Sequence, residues 1–392
     1  MAKNSKNIKR TLLLAIILIL SSISFFSALS KVGLPYTSDT LFYKHIFYQF
    51  QGGSFNEARD KVLKNHQILW PDKIQRNIFT NEETYKNSYT FFTKRPLYPF
   101  MAFIINKFIR NEFYAFMLPV FISFLGFITL AFFLLIKRTG VVGASIGCLL
   151  LVSTPLFIKN AIYFMTDTIG AFFWLTQIIL IIAFLQKPKW QVLLLFTICL
   201  IISLFNREQS LFIVPTIIIA GLFFLKQKES TQVKRIVPLL LLSSTISLLY
   251  ILGLYLLGQR GALDSIVYAQ NSFGFYNNSF TKIETVAFMI DSISYVHQKF
   301  IKDLLSSPAY TLFFTTFIFA VFRFFKQKNG FKTIDTLILS SGIGSYLSIF
   351  ILPLLNYRYF FPVMFTVIYF STMYILEFLK SLEQKPPNKT EI

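Results

Sequence analysis

Charge is scarce in this sequence. Only 14% of its 392 residues are Asp, Glu, Lys or Arg, where a soluble domain carries about 25%. A chain so poor in charge cannot cover a water-facing surface, which excludes an ordinary soluble protein. Cysteine is nearly missing. Cys148 and Cys199 both lie within apolar runs, so neither a disulfide framework nor a thiolate metal site is supported. His45, His66 and His297 show no ligand spacing, and the residues call for no metal. There is no internal repeat, no low-complexity segment and no separate soluble stretch large enough to hold its own core. Acidic residues are also few, 18 against 38 basic, for a net charge of +20. Half or more of the basic residues sit in breaks between apolar runs, where membrane orientation requires them, so no nucleic-acid partner is implied.

Apolar residues dominate instead, at 54% of the chain, and they come in runs near the roughly 20 residues that cross a bilayer. The expected fold is all-α: a polytopic membrane protein of about ten transmembrane helices, 1–392 forming a single membrane domain. The first run, TLLLAIILILSSISFFSALS at 11–30, follows a basic N-terminus like that of a secretory signal, and Ala28 and Ser30 mimic a cleavage site. It exceeds the roughly 7–15 apolar residues of such a signal, and an uncleaved first span is expected. Further spans are expected at 113–136, 141–158, 162–186, 190–205, 208–225, 236–257, 309–325, 333–351 and 357–377. The 31–112 stretch reads as a large loop carrying short helices. Within it, PLYPFMAFIINKFIR at 96–110 is too short to cross and suits an amphipathic surface helix. A second long loop is expected at 258–308.

Orientation follows from the short loops. Lys137 and Arg138, Lys187 and Lys189, KQKESTQVKR at 226–235, RFFKQKNGFK at 323–332 and the C-terminal tail all fall on one side. The positive-inside rule makes that side cytoplasmic, with both termini. Both long loops are then extracytoplasmic. The same side receives Asp39, Lys94, Arg95, Asp167, Arg207, Glu208, Tyr357 and Arg358, as a site at the outer membrane boundary requires.

Each of these residues also has a plainer reading. Asp39, beside Ser38 in YTSDTLFYKHIF at 36–47, is placed to cap a helix. Phe42, Tyr43, Ile46, Phe47 and Phe50 recur at helical spacing and would lay that helix on lipid, with Tyr43 on the side of Asp39. Asp167 competes with Thr166 to cap its span, Arg207 and Glu208 can pair at a hairpin tip, and Lys94, Arg95 and Arg358 can anchor in headgroups.

Taken in order, the motifs add a resemblance. An acidic residue and aromatics follow the first span; then come KRPLYP at 94–99, TDTIGAFFWL at 166–175, NREQSLFIVP at 206–215 and NYRYFFP at 356–362. This series resembles the GT-C fold glycosyltransferases, the class of protein mannosyltransferases and the lipid A aminoarabinose transferase. The resemblance covers most of 1–225 and the 350–365 segment. It departs from the closest subfamilies in lacking a paired Asp-Glu after the first span, and in carrying Arg-Pro-Leu where some have Lys-Pro-Pro. What it implies is transfer of a sugar from a polyprenyl-phosphate donor to an acceptor hydroxyl at the extracytoplasmic face, with inversion. Asp39 would be catalytic. Tyr43, Lys94, Arg95, Asp167, Arg207, Glu208, Tyr357 and Arg358 would bind substrate, Asp167 by positioning the acceptor or a neighbouring cation. The implied partners are the lipid-linked donor, membrane lipids and a glycan, lipid or protein acceptor. A divalent metal stays open, as do two other classes, a lipid-linked polysaccharide ligase or polymerase and a lipid or sugar flippase.

Overall fold

The computed structural model describes residues 2–66, 78–259, 261, 264–266, 268, 282–326, 332–350 and 361–383. All regular structure among them is helical. In chain order the helices are α1 (Ala2–Val32), α2 (Ser38–Phe50), α3 (Phe55–His66), α4 (Glu82–Thr93), α5 (Leu97–Ile109), α6 (Glu112–Ser153), α7 (Pro155–Ala161), α8 (Thr166–Gln186) and α9 (Trp190–Asn206). A 3₁₀ turn at Glu208–Phe212 leads into α10 (Ile213–Lys226), followed by α11 (Ser230–Leu256), α12 (Lys282–Ser306), α13 (Pro308–Lys326), α14 (Thr333–Leu347) and α15 (Phe361–Glu383).

Among the described residues, seven helical runs are long and apolar enough to cross a membrane: Asn7–Val32, Glu112–Ser153, Thr166–Gln186, Glu208–Lys226, Ser230–Leu256, Thr333–Phe350 and Phe361–Leu382. The ten expected crossings therefore differ from this set at three places. Trp190–Asn206 and Tyr310–Arg323 are apolar but shorter. The expected spans 113–136 and 141–158 meet in the single run α6. That run is not straight, because Gly140 has φ 71° and ψ −177°, which a side chain would not tolerate. Residues 128 and 148 would lie about 30 Å apart along a continuous helix, yet the Cys148 thiol is 3.9 Å from the Ile128 carbonyl. The chain reverses at Gly140 and its two arms pack on each other. At Gly147, where a Cβ would lie 2.8 Å from Leu135, a missing side chain lets the arms close.

The long helices alternate in direction, which gathers their ends into two sets. At one end, the Gly140 turn, Arg138 paired to Asp335 at 2.8 Å, and Arg235 donating to the Leu185 carbonyl at 2.5 Å bring the basic breaks together. At the other end α2–α5 form a cap. The bundle core is aromatic, with Phe157 stacked on Phe361 at 4.5 Å. Large apolar side chains such as Ile19, Ile23, Leu241, Leu248 and Leu249 turn outward, as helices facing lipid require. α5 buries Tyr98, Pro99 and Ala102 and exposes Phe100, Ile104 and Phe108, one apolar stripe at i, i+4, i+8 that suits a membrane surface.

Candidate functional site

α2 starts immediately beyond the first apolar helix, and its start decides what Asp39 is. Thr37 is the N-cap. Its hydroxyl accepts from the Thr40 N–H at 3.4 Å, and its own N–H donates to the Thr40 hydroxyl at 3.0 Å. These reciprocal bonds close a capping box, so Asp39 is not the cap, contrary to that reading of the sequence. The Thr40 hydroxyl also donates to the Phe164 carbonyl at 2.9 Å, docking α2 on the segment that leads into α8. Asp39 is only 5% exposed, and its carboxylate accepts a 2.5 Å hydrogen bond from the Tyr268 hydroxyl.

The aromatic face of α2 does not rest on lipid. Every residue from Asp39 to Tyr48 is buried by protein, because its polar members find partners. Lys44 pairs with Glu112 at 2.5 Å and lies 4.0 Å above the Tyr36 ring. Tyr48 donates to the same Glu112 at 2.8 Å, and the His45 Nδ1 meets the Tyr85 hydroxyl at 2.7 Å. Burial lowers the Lys44 pKa, with Glu112 opposing.

The charged residues from four breaks converge here. Arg95 sends Nη2 and Nε to Glu208 at 2.8 and 3.3 Å while its guanidinium lies 4.1 Å over Phe91. Lys94 reaches Asp264 at 2.6 Å, the Gly261 carbonyl at 2.7 Å and Glu208 at 3.7 Å. Both basic residues are 2% exposed, so neither is a headgroup anchor. Arg207 pairs with Asp167, not with its neighbour Glu208. Asp167 does not cap α8, whose N-cap is Met165; it sits in the first turn and holds a cation. Gly170 packs against this pair, where a Cβ would lie 3.4 Å from both the Arg207 Cδ and the Asn206 amide. The Asn206 amide donates to the Thr166 carbonyl at 3.1 Å, locking α9 to α8. Tyr43 joins the two halves, sharing a 3.1 Å hydrogen bond with Thr166 and lying within the field of both Arg95 and Asp39. Burial raises its pKa, and Arg95 opposes that rise.

Seven of the nine residues expected at the site, Asp39, Tyr43, Lys94, Arg95, Asp167, Arg207 and Glu208, are thus brought together. Tyr357 and Arg358 lie outside the described residues. Two members were not expected: Asp264 and Tyr268, in the second long loop. Their i, i+4 spacing in LDSIVY was the available signal, since it puts both on one side of a helical turn. Tyr268 stacks on Phe91 at 4.9 Å and packs edge-on to Phe92 at 5.1 Å. Among the described residues no group of three or more His, Cys, Asp or Glu could hold a metal ion.

Chemically the arrangement offers a carboxylate hydrogen-bonded to a phenol, beside guanidinium and ammonium groups fixed by carboxylates. Charges held this way act strongly, because little water screens them. The fold is that of a multi-pass membrane protein, helical in all the regular structure of its described residues, with a charged site at one end of its bundle. No family model and no curated protein matches this chain.

His45 gives the cap an acid limit. Burial first, then Arg59, pulls its pKa down from 6.5 to about 4. The folded form therefore binds the proton more weakly than the unfolded form. Its contribution to stability is complete above about 6.5 and declines as pH falls towards 4. Amide exchange in α4, corrected for intrinsic rate, should accelerate across that window. His45→Phe, which still fills the ring cluster, should abolish the pH dependence; an unchanged dependence would contradict this role.

Proposed function

We propose that the protein is a GT-C-like glycosyltransferase of the cell envelope. It transfers a hexosyl or pentosyl group from a polyprenyl-phosphate donor to an acceptor hydroxyl at the extracytoplasmic face. The observation that supports this reading most is the convergence of Asp39 with Arg95, Lys94 and the Arg207–Asp167 pair at one end of the bundle, opposite the basic breaks. A lipid phosphate lies at the membrane boundary, and its reacting carbon with it. In this reading the end carrying the site is extracytoplasmic and both termini are cytoplasmic. The α6 hairpin and the shorter α9 and α13 also cross, which makes about ten crossings.

The roles follow from the chemistry. Asp39 takes the acceptor proton as the hydroxyl attacks, an effect worth about 10²–10⁴-fold. Charge builds on the departing phosphate, and fixed cations stabilise it. Arg95 and Arg358 serve first, with Lys94 and Arg207 behind them. Glu208 holds Arg95 and Lys94, Asp167 holds Arg207, and Tyr43 and Tyr357 line the substrate. Direct displacement inverts the anomeric centre. Membrane lipids surround the site, and the acceptor is a glycan, lipid or protein. A ligase or polymerase would use the same end but a chain on a pyrophosphate. A flippase would need polar sites at mid-membrane, and the cluster described here sits at the helix ends instead.

Two experiments test the reading. A reporter active only outside the cytoplasm should work when fused after residue 60, 206 or 280 and stay silent after 138, 188 or 230; the reverse pattern would remove the site from the donor's side. Purified protein in detergent, given a panel of polyprenyl-phosphate sugars together with glycan, lipid and peptide acceptors, should release polyprenyl phosphate from at least one. Release from none, with the protein folded, would overturn the assignment.

A further inference from the structure

Tyr268 occupies the place a nucleophile needs. A general base must receive a hydrogen bond from the hydroxyl it activates, at about 2.6–3.2 Å. The Asp39 carboxylate receives one from the Tyr268 phenol at 2.5 Å. The phenol is not there by accident of a mobile side chain. Its ring is 4% exposed, stacks on Phe91 and meets the edges of Phe92 and Phe42. Shortly before it in the chain, Asp264 and the Gly261 carbonyl are both held by Lys94. Five aromatic and charged contacts thus hold one O–H against one carboxylate across 229 residues of chain.

Resting on the transfer reading above, we propose that Tyr268 determines which nucleophile the enzyme accepts, by covering Asp39 against water. A transferase with an open base would spend its donor on hydrolysis. In that side reaction a water oxygen bonds to the anomeric carbon, the water proton passes to Asp39, and the bond from that carbon to the phosphate oxygen breaks, its electron pair leaving with polyprenyl phosphate. Transfer follows the same steps with an acceptor hydroxyl. To reach Asp39, either nucleophile must displace the phenol from its hydrogen bond and its ring from Phe91. An acceptor sugar, lipid or peptide has remote groups whose binding can offset that displacement. Water has none. Tyr268 therefore favours hydroxyls carried on a bound acceptor, and discrimination comes from the cost of uncovering the base.

Tyr268→Phe keeps the ring stack and removes only the O–H, leaving room for a water beside Asp39. The probe is the polyprenyl-phosphate sugar the parent protein cleaves, without acceptor. Release of polyprenyl phosphate should rise on the order of tenfold, and Asp39→Asn added to Tyr268→Phe should remove the rise. No rise, or a fall in release, would overturn the proposal and make the phenol a structural or proton-relay group. Asp39→Asn alone releasing at the parental rate is a separate outcome: it removes the base reading itself. A second measurement needs no donor. Cys148 and Cys199 are buried, so Asp39→Cys places a single reporter thiol at the site. Its alkylation by a water-soluble maleimide should be slow, and faster on the order of tenfold once Tyr268→Ala is added. Equal rates in the two folded proteins would show that Tyr268 covers nothing.

Discussion

Asp39→Asn should be made and inserted at normal levels, bind donor with an unchanged KM, and lose on the order of 10²-fold or more in turnover. Structure and chemistry separate cleanly at this position. The helix start does not depend on Asp39, because Thr37 and Thr40 close the capping box. An asparagine oxygen can still accept from Tyr268, so the contact at 2.5 Å has a substitute. The function asparagine cannot supply is taking a proton. A 10²-fold loss corresponds to about 2.7 kcal/mol of transition-state stabilisation. Asp39→Glu should keep part of the rate, limited by a carboxylate displaced by one methylene. Parental turnover in Asp39→Asn would remove the base from the mechanism.

Breaking the Arg207–Asp167 pair should have the largest effect on stability. Both side chains are buried, at 3% and 4% exposure, and α8 and α9 meet around them. Arg207→Ala leaves the Asp167 carboxylate in a poorly hydrated pocket without its cation. Truncating one partner of such a pair costs about 3–5 kcal/mol. The thermal midpoint in detergent should fall clearly for Arg207→Ala, and Asp167→Asn in the same chain should recover much of the loss by removing the stranded charge. If the single variant were as stable as the parent, or the double variant worse than the sum of the singles, the pair would not be the joint between these helices.

The parts legible in the sequence were those carried by local pattern. Apolar runs of membrane length mark the long helices, and the break at Lys137–Gly140 marks the reversal inside α6. Alternation of direction then placed Asp39, Lys94, Arg95, Asp167, Arg207 and Glu208 at one end before any contact was known. Pairings were not legible. Arg207 stands beside Glu208 in the chain, yet each joins a residue about 40 or 113 positions away, a choice made by helix packing. The environment of α2 was missed for a related reason. Its aromatic spacing suggested a face laid on lipid, and only the folded chain brings Glu112 to Lys44 and Tyr85 to His45, so that the helix is buried by protein. The i, i+4 spacing of Asp264 and Tyr268 could mark them as sharing one side of a turn, but not their partners, because the hydrogen bond from Tyr268 to Asp39 spans 229 residues.

The central claim, that Asp39 activates a hydroxyl for one direct displacement at a polyprenyl-phosphate sugar, is tested most directly by the anomeric configuration of the first product. Purified protein is incubated with the donor it cleaves and its acceptor, or with water as acceptor in Tyr268→Phe, and the product is read by NMR before mutarotation. The account predicts inversion relative to the donor, with the product forming on the order of 10²-fold more slowly in Asp39→Asn. Retention would require a covalent sugar–enzyme intermediate and would contradict it.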